Sequence, residues 1–129
     1  MSLFLDTSAI IEWERNNPKV VSFIRAEKEI NISSICVYET LVGLKREKRR
    51  KVLDFFSSFP LTSFNSDDSF LAAEIYQALT KNGKVVNSRD ILIAAQAKRR
   101  NLRILTGDVD YSVIDRAFGL DVIKIEDLK

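Results

Sequence analysis

"LFLDTS", residues 3–8, places three apolar residues directly before an aspartate and two hydroxyl residues. The apolar run Leu3–Leu5 predicts a short buried β-strand, and residues Ser8–Arg15 predict a helix after it. Asp6 therefore lies at the carboxyl end of a strand. An aspartate in this position either caps the following helix or belongs to a charged site.

Composition favours a single globular domain. The chain has 129 residues, of which 46% are hydrophobic, which suits one domain with a real core rather than two. No apolar run reaches the length of a membrane span, and the N-terminus lacks the basic region of a signal peptide. Cys36 is the only cysteine, which suits a reducing compartment. We therefore expect residues 1–129 to form one domain that works in the cytoplasm, without a membrane partner.

The absence of histidine excludes several kinds of chemistry. The sequence contains no histidine at all. Serine or cysteine nucleophiles activated by imidazole are therefore excluded, and so is nearly every type of zinc site. Any catalysis must use carboxylates, hydroxyls, Lys, Arg, Tyr or an oxygen-bound metal ion.

Short apolar strands alternate with amphipathic helices along the whole chain. This alternation predicts an α/β fold, with a central parallel sheet of about four to five strands flanked by helices on both faces. In such sheets the functional site lies beyond the carboxyl ends of the strands. The predicted strands are Leu3–Leu5, Ile30–Ser33, Leu61–Phe64, Leu102–Leu105 and Val122–Ile125. The first two predicted helices are Ser8–Arg15 and Pro18 to about Glu29. The third is capped by Ser34 and carries Val37, Leu41 and Leu44, and the fourth covers residues 47–58. The fifth runs from its cap Ser66 to Gly83, the sixth starts at Ser88 and covers Asp90–Arg100, and the seventh is Ser112–Phe118.

Acidic residues recur at strand ends and helix starts. "RILTGDVDY", residues 103–111, repeats the opening pattern, since an apolar strand leads to Asp108 and Asp110. Glu39 lies early in the predicted helix "SICVYETLVGL", and Asp90 lies in the first turn of "SRDILIAAQA". The main candidates for a charged site are therefore Asp6, Glu39, Asp90 and Asp108.

Each acid also has a purely structural interpretation. Acids near helix N-termini complement the helix dipole by roughly 0.3–1 kcal/mol, which alone would explain Glu39 and Asp90. Asp108 and Asp110 can form a turn after Gly107. The helix "DILIAAQA" is almost wholly apolar, however, so it is expected to pack deeply. An acid at its start is then unlike an ordinary solvated carboxylate.

Convergence of these acids would require a cation, unless some of them are protonated. Two carboxylates about 4 Å apart repel by roughly 4 kcal/mol at a near-surface dielectric constant. Ligand sets made only of oxygen select Mg²⁺ or Mn²⁺, which can activate water and neutralise a phosphodiester. Thr7, Ser8 and Thr106 are candidates to orient the carboxylates, although hydroxyls in such turns are commonly helix caps.

In sequence, the chain resembles the PIN-domain nucleases, and in particular the VapC-type toxin ribonucleases of toxin–antitoxin pairs. The matching segments are "LDTSAII", "VYETLVG", "RDILIAAQA" and "LTGDVDY", in this order over essentially all 129 residues. The resemblance implies a PIN-like fold and a catalytic site of Asp6, Glu39, Asp90 and Asp108 around Mg²⁺ or Mn²⁺. It also implies an RNA substrate, a homodimer and a cognate antitoxin protein.

Two positions depart from the family pattern. Tyr111 stands where the family often has Phe, and Gly107 stands where a larger residue is usual. Neither change removes an expected metal ligand. The spacing from Thr106 favours Asp108 over Asp110 as the closer ligand, which leaves Asp110 in a supporting role.

The basic stretch "KREKRRK", Lys45–Lys51, follows the helix that carries Glu39. Phosphate contacts supply most nucleic-acid affinity, so this run is a candidate RNA-binding segment. A solvated helix face, or a docking surface for an acidic partner, would explain it equally. The aromatic pair Trp13 and Phe23 is interpreted as packing or dimer surface. The RNA-binding candidates are Lys45, Arg46, Arg49 and Arg50.

The sequence therefore predicts a metal-dependent endoribonuclease, and two other functions stay open. One is a PIN-fold module that binds RNA or protein and has little catalytic activity. The other is an enzyme that forms an aspartyl phosphate on Asp6. Phosphatases of that kind usually carry a second aspartate two residues later, where this chain has Ser8.

Overall fold

Five short strands form one parallel sheet in the computed structural model, which describes residues 2–129. The strand order is β3-β2-β1-β4-β5, and every neighbouring pair is parallel. The predicted α/β class with a central parallel sheet is thus confirmed. The strands are β1 Leu3–Leu5, β2 Ile30–Ser33, β3 Leu61–Thr62, β4 Arg103–Thr106 and β5 Val122–Lys124.

Helices cover both faces of the sheet. The chain steps from β1 through β2 to β3 in one direction, then crosses back to β4 and β5 in the other. Right-handed crossovers in opposite directions place their helices on opposite faces, so α1–α4 form one layer and α5–α7 the other. The helices are α1 Thr7–Glu14, α2 Pro18–Ala26, α3 Ser34–Gly43, α4 Arg49–Ser57, α5 Ser66–Lys81, α6 Ser88–Arg99 and α7 Asp110–Phe118, with short 3₁₀ helices at Arg46–Lys48 and Ile125–Asp127. Within residues 2–129, every helix is too short or too polar to span a bilayer.

The centre of the sheet is also the centre of the core. All three residues of β1 are completely buried, because helices cover both faces of this central parallel strand. The small and apolar residues of α6, including Ile93, Ala94 and Ala95, are buried as well. The deep packing expected for "DILIAAQA" is therefore confirmed.

Two predicted helix caps were wrong by one residue. Ser33 rather than Ser34 caps α3, because its extended backbone lets its hydroxyl accept a hydrogen bond from the Ile35 amide at 3.0 Å. Asn65 rather than Ser66 caps α5, since its side chain and that of Asp68 each accept a hydrogen bond from the other residue's backbone amide. This reciprocal capping box fixes the helix start more strongly than a serine at the next position would.

Several predicted boundaries also differ from the structure. The second helix ends at Ala26, where the backbone of Glu27 becomes extended, and not near Glu29. The edge strand β3 stops at Thr62 instead of continuing to Phe64. The last helix begins at Asp110 rather than at Ser112. The final strand ends at Lys124, and Ile125 already belongs to a 3₁₀ helix.

The fold brings the ends of β1 and β4 side by side. These strands are hydrogen-bonded neighbours, and the Asp6 amide extends their pairing by donating to the Leu105 carbonyl at 3.3 Å. The connections that leave β1 and β4 run toward opposite edges of the sheet. Ligand sites of open α/β sheets lie at such a reversal of strand order. Asp6 and the residues after Thr106 occupy this position.

Candidate active site

Asp6 is both a helix cap and a member of a buried polar network. Its Oδ1 accepts hydrogen bonds from the Ala9 amide at 2.9 Å, which starts α1, and from the Ser8 hydroxyl at 2.7 Å. Its Oδ2 accepts a hydrogen bond from the Thr106 hydroxyl at 2.6 Å. The two interpretations of "LFLDTS" are therefore compatible, because each carboxylate oxygen has its own partners.

Ser8 and Thr106 connect the start of α1 to the loop after β4. The Thr106 hydroxyl accepts a hydrogen bond from the Asp108 amide at 2.8 Å, and the Ser8 hydroxyl accepts one from the Gly107 amide at 2.8 Å. The loop that carries Asp108 is thus fixed to the same network as Asp6. Ser8 and Thr106 therefore each contact both the Asp6 carboxylate and the backbone of this loop.

Asp90, Asp108 and Asp110 form a close group of carboxylates. One oxygen from each lies within 4.8 Å of an oxygen from each of the others. Asp108 Oδ1 also accepts a hydrogen bond from the Asp110 amide at 2.9 Å. The sequence pattern gave Asp110 a supporting role, whereas the structure places its carboxylate in the same group as the other two.

The electrostatics of the site disfavour full ionisation. Burial raises the pKa of Asp90 to about 8, and the negative charges of Asp108, Asp6 and Asp110 add to the rise. Burial also raises the pKa of Asp6 to about 6, although hydrogen bonds from Thr106 and Ser8 oppose this effect. Without a cation, the group therefore retains a proton near neutral pH.

Glu39 is not one of the three carboxylates in this close group. Its Oε2 forms an ion pair with Arg89 Nε at 2.9 Å, and its Oε1 accepts a hydrogen bond from the Thr7 hydroxyl at 3.0 Å. Both oxygens of Glu39 therefore already have partners. Thr7 supports Glu39 in this structure rather than the three aspartates.

Two residues near the site were not among the predicted candidates. The buried Tyr111 places its hydroxyl 3.3 Å from Asp90 Oδ1, to which it donates a hydrogen bond. The sequence offered one signal for this contact, because Tyr111 carries a hydroxyl where the family often has Phe. Arg89 offered no signal except its position next to Asp90, because its contact with Glu39 depends on the tertiary packing of α3 and α6.

The basic run lies away from the acidic site. Lys48 pairs with Glu14 at 3.5 Å, and Lys51 donates to the Glu14 carbonyl at 2.8 Å and to the Asn16 side chain. These partners lie at the C-terminal end of α1, whereas Asp6 caps its N-terminal end. A helix of eight residues is about 12 Å long, so Lys48 and Lys51 contact α1 about one helix length from its cap Asp6.

The RNA-binding candidates of the run are all exposed. Arg49 donates to the Leu41 carbonyl at 3.3 Å. Within residues 2–129, Lys45, Arg46 and Arg50 have no side-chain hydrogen bond or ion pair, so they are free to meet a partner.

Trp13 and Phe23 pack within the domain. The ring centroid of Trp13 lies 3.9 Å from that of Phe55, and Lys51 lies above the same indole ring. Phe23 is partly buried against the core. The packing interpretation of these aromatics agrees with the structure.

An open cavity of about 640 Å³ adjoins the carboxylates. Asp108, Ser8 and Thr106 form the wall that it shares with the site. Its other walls carry both charged and apolar side chains, including Arg15, Lys124, Ile11 and Ile125. This volume is within the usual range for ligand pockets, so a small part of a larger substrate can enter beside the acids.

The donor set of the site fits a hard divalent cation. Asp90, Asp108 and Asp110 offer oxygens only, at separations that one ion can bridge. Oxygen ligands without His or Cys are the set that Mg²⁺ and Mn²⁺ prefer. A bound cation would also compensate the repulsion that raises the pKa of Asp90.

Comparisons with family models and with known proteins point to the same family. The model of the PIN domain family matches residues 3–117. Ribonuclease VapC3 of Methanocaldococcus jannaschii is 34% identical over 95 residues, which cover 74% of this chain and 97% of the relative. Ribonuclease VapC1 of Rickettsia felis is 31% identical over 134 aligned residues, which cover 97% of each protein.

Solved structures share the same fold. DNA-bound VapBC from Salmonella typhimurium matches with a TM-score of 0.85 and 22% identity, covering 97% of this chain and 98% of the other. FitAcB from Neisseria gonorrhoeae matches with a TM-score of 0.79 and 25% identity, covering 98% and 99%. The family model covers most of the chain, and relatives above 30% identity align over most of its length. The chain therefore belongs to the PIN-domain family, in the group of the VapC ribonucleases.

Proposed function

We propose that this protein is a metal-dependent endoribonuclease that acts as the toxin of a toxin–antitoxin pair, with residues 1–129 as one PIN domain. The observation that carries the proposal is the convergence of Asp90, Asp108 and Asp110 beside Asp6 at the ends of β1 and β4. Four carboxylates at the strand reversal of a parallel sheet are expected of a cation site, and not of a surface that only binds protein.

Asp90, Asp108 and Asp110 would hold the Mg²⁺ or Mn²⁺ ion, with Asp6 beside them. Glu39 belongs to the same acidic set but is paired with Arg89. When bound, such an ion supplies charge neutralisation at the phosphodiester and activation of water for its hydrolysis. The Thr106 and Ser8 hydroxyls hold Asp6, and Tyr111 holds Asp90, so these acids keep their positions before substrate arrives. The adjoining cavity receives part of the RNA chain.

The partners are inferred from relatives. The relatives are named ribonucleases, which supports RNA as the substrate. Several structural neighbours are VapBC complexes, and one is described as a toxin–antitoxin complex from Klebsiella pneumoniae, which supports a cognate antitoxin protein. The buried single cysteine fits work in the reducing cytoplasm.

The direct test is cleavage of labelled RNA by the purified protein with Mn²⁺ or Mg²⁺, with and without a chelator. We expect internal cleavage that requires the ion and stops when the chelator is added. Binding of RNA without any cleavage under these conditions would instead favour the non-catalytic binding module.

A second prediction concerns the basic run. Changing Lys45, Arg46, Arg49 and Arg50 together to Ala should weaken RNA binding and flatten its dependence on salt, because each lost phosphate contact lowers the slope by about 0.7 for a single strand. Metal affinity should stay unchanged, since the run lies beyond the far end of α1. Filter binding over a range of salt concentrations measures the slope. An unchanged slope would assign the run to solvent or to the antitoxin.

A third prediction is that the protein forms a homodimer. The exposed apolar residues support it: Phe70 on α5 is 72% exposed, and Tyr38 and Val42, one turn apart on α3, are 62% and 66% exposed. Large apolar side chains that are adjacent on a surface, as Tyr38 and Val42 are on α3, indicate an interaction site. Sedimentation equilibrium at micromolar concentration should give twice the mass of one chain, and a mass of one chain would contradict the prediction.

A further inference from the structure

Arg89 forms an ion pair with one of the candidate acids. Its Nε lies 2.9 Å from Glu39 Oε2, and Asp90 is the next residue along the chain. Within residues 2–129, this is the only ion pair formed by any of the five candidate acids Asp6, Glu39, Asp90, Asp108 and Asp110. The basic run, by contrast, is held at the opposite end of α1.

The position of Arg89 is locally unfavourable. It lies in the first turn of α6, where the helix dipole favours negative rather than positive charge. The ion pair with Glu39 offsets this cost. The fold therefore places Arg89 at a helix start that disfavours positive charge. Glu39 of another helix, α3, holds it there.

The guanidinium of Arg89 still has free donors. The ion pair with Glu39 is made at Nε, and a guanidinium carries four further N–H groups on its two terminal nitrogens. Within residues 2–129, no side chain or carbonyl accepts a hydrogen bond from these groups. The side chain is 52% exposed, whereas that of Glu39 is only 17% exposed. A mostly buried carboxylate thus holds the guanidinium of a partly exposed arginine.

A nucleic-acid substrate needs such a cation at this place. Its phosphates would approach a group of carboxylates that repel them, and a fixed Arg fork binds phosphate through two parallel hydrogen bonds. We propose that Arg89 binds an RNA phosphate next to the acidic site, and that Glu39 is the positioning residue that holds its guanidinium. This inference rests on the proposed function and gives Glu39 a different role from a metal ligand.

RNA binding in the presence of EDTA tests the Arg89 contact without any cleavage. With a labelled single-stranded RNA oligonucleotide, Arg89→Ala should weaken binding about 10-fold or more, as expected for loss of a charge-assisted pair. The salt slope should fall by about 0.7. Arg25→Ala removes the same charge from an exposed position on α2. It is the matched control and should change RNA binding much less. Arg89→Lys keeps the charge without the fork and should lie between wild type and Arg89→Ala.

The role of Glu39 is tested by combining substitutions. If Glu39 only repels RNA, Glu39→Gln should strengthen binding whether or not Arg89 is present. If Glu39 positions Arg89, Glu39→Gln should weaken binding in the wild-type background and not in the Arg89→Ala background. Calorimetric titration with Mn²⁺ should show nearly wild-type affinity for Glu39→Gln, in contrast to a strong loss for Asp108→Asn.

Several outcomes would overturn the inference. They are wild-type RNA binding by Arg89→Ala, stronger RNA binding by Glu39→Gln, or a loss of Mn²⁺ affinity in Glu39→Gln as large as in Asp108→Asn. The proposed function fails separately, if the wild-type protein binds RNA but does not cleave it with Mn²⁺. A wild-type protein that does not bind RNA would contradict both.

Discussion

Asp90→Asn is expected to abolish RNA cleavage, by about 100-fold or more, and at the same time to stabilise the metal-free protein. The first effect follows from the proposed metal site, in which Asp90 would be a ligand that loses its charge, and even supporting residues of metal sites typically contribute 10–100-fold. The second follows because burial and the charges of Asp108, Asp6 and Asp110 raise the pKa of Asp90 to about 8. An amide at this position removes the repulsion and can donate a hydrogen bond to Asp108.

The size of the stability gain depends on pH. One pKa unit corresponds to about 1.4 kcal/mol, so a rise in the pKa of Asp90 from 3.8 to about 8 corresponds to a destabilisation of at most roughly 6 kcal/mol at pH 8, which Asp90→Asn should relieve in part. The Tyr111 hydroxyl can still donate to the amide oxygen, so the local packing is kept.

Thermal melts with EDTA, Mn²⁺ titration and RNA cleavage should be measured on the same preparations. Asp121→Asn, the same chemical change at an exposed position, is the matched control and should affect none of the three. Full cleavage activity of Asp90→Asn would contradict the proposed site. A lower melting temperature in the presence of EDTA would show that the carboxylate stabilises the fold rather than straining it.

Asp6→Asn is a less direct test of the same site. The amide oxygen can keep the cap on α1 and the bond from Ser8, but the amide nitrogen replaces the oxygen that accepts from Thr106. Thr106 in turn holds the Asp108 amide, so the loop after β4 would have to adjust. A loss of cleavage in Asp6→Asn would therefore combine a lost charge with a displaced Asp108.

The metal-free protein is expected to lose stability as the pH rises from about 4 to about 8. Below pH 4, Asp90 is protonated in both the folded and the unfolded chain, so it contributes nothing. Above pH 4 the unfolded chain releases this proton, whereas the folded chain retains it until its pKa of about 8. The folded state then binds more protons, so the free energy of unfolding falls with pH. Asp6 adds a smaller decrease that ends near its pKa of about 6.

Mn²⁺ or Mg²⁺ should reverse this loss, and most strongly at high pH. Metal ligands must be deprotonated, so affinity rises as Asp90 ionises. Saturation at about 100 times the dissociation constant stabilises the fold by about 2.7 kcal/mol. Melting curves from pH 5 to pH 8, with EDTA or with Mn²⁺, should diverge as the pH increases. A metal-induced shift that is equal at pH 5 and pH 8 would contradict the prediction.

The sequence by itself determined the architecture and the place of the site. The alternation of strands and helices can be recognised locally. The spacing of apolar residues within each segment shows whether it is a strand or a helix and which side of it is buried. It correctly placed the five strands and seven α-helices that residues 2–129 form, with errors of a few residues at their ends. Since parallel strands end at one edge of a sheet, Asp6 after β1 and Asp108 after β4 could be expected near each other. The apolar sequence after Asp90 correctly indicated deep packing of α6.

Only the tertiary structure decided which side chains meet at that edge. Asp110 joins Asp90 and Asp108 because the loop after β4 enters α7 two residues earlier than the pattern indicated. Glu39 pairs with Arg89, 50 positions later in the sequence, because α3 and α6 approach each other beside the site. Similarly, the basic run packs at the C-terminal end of α1, because Lys48 pairs with Glu14 and Lys51 donates a hydrogen bond to Asn16. Such contacts depend on side-chain directions and distances of a few ångströms between segments remote in sequence, which local propensity and periodicity do not encode.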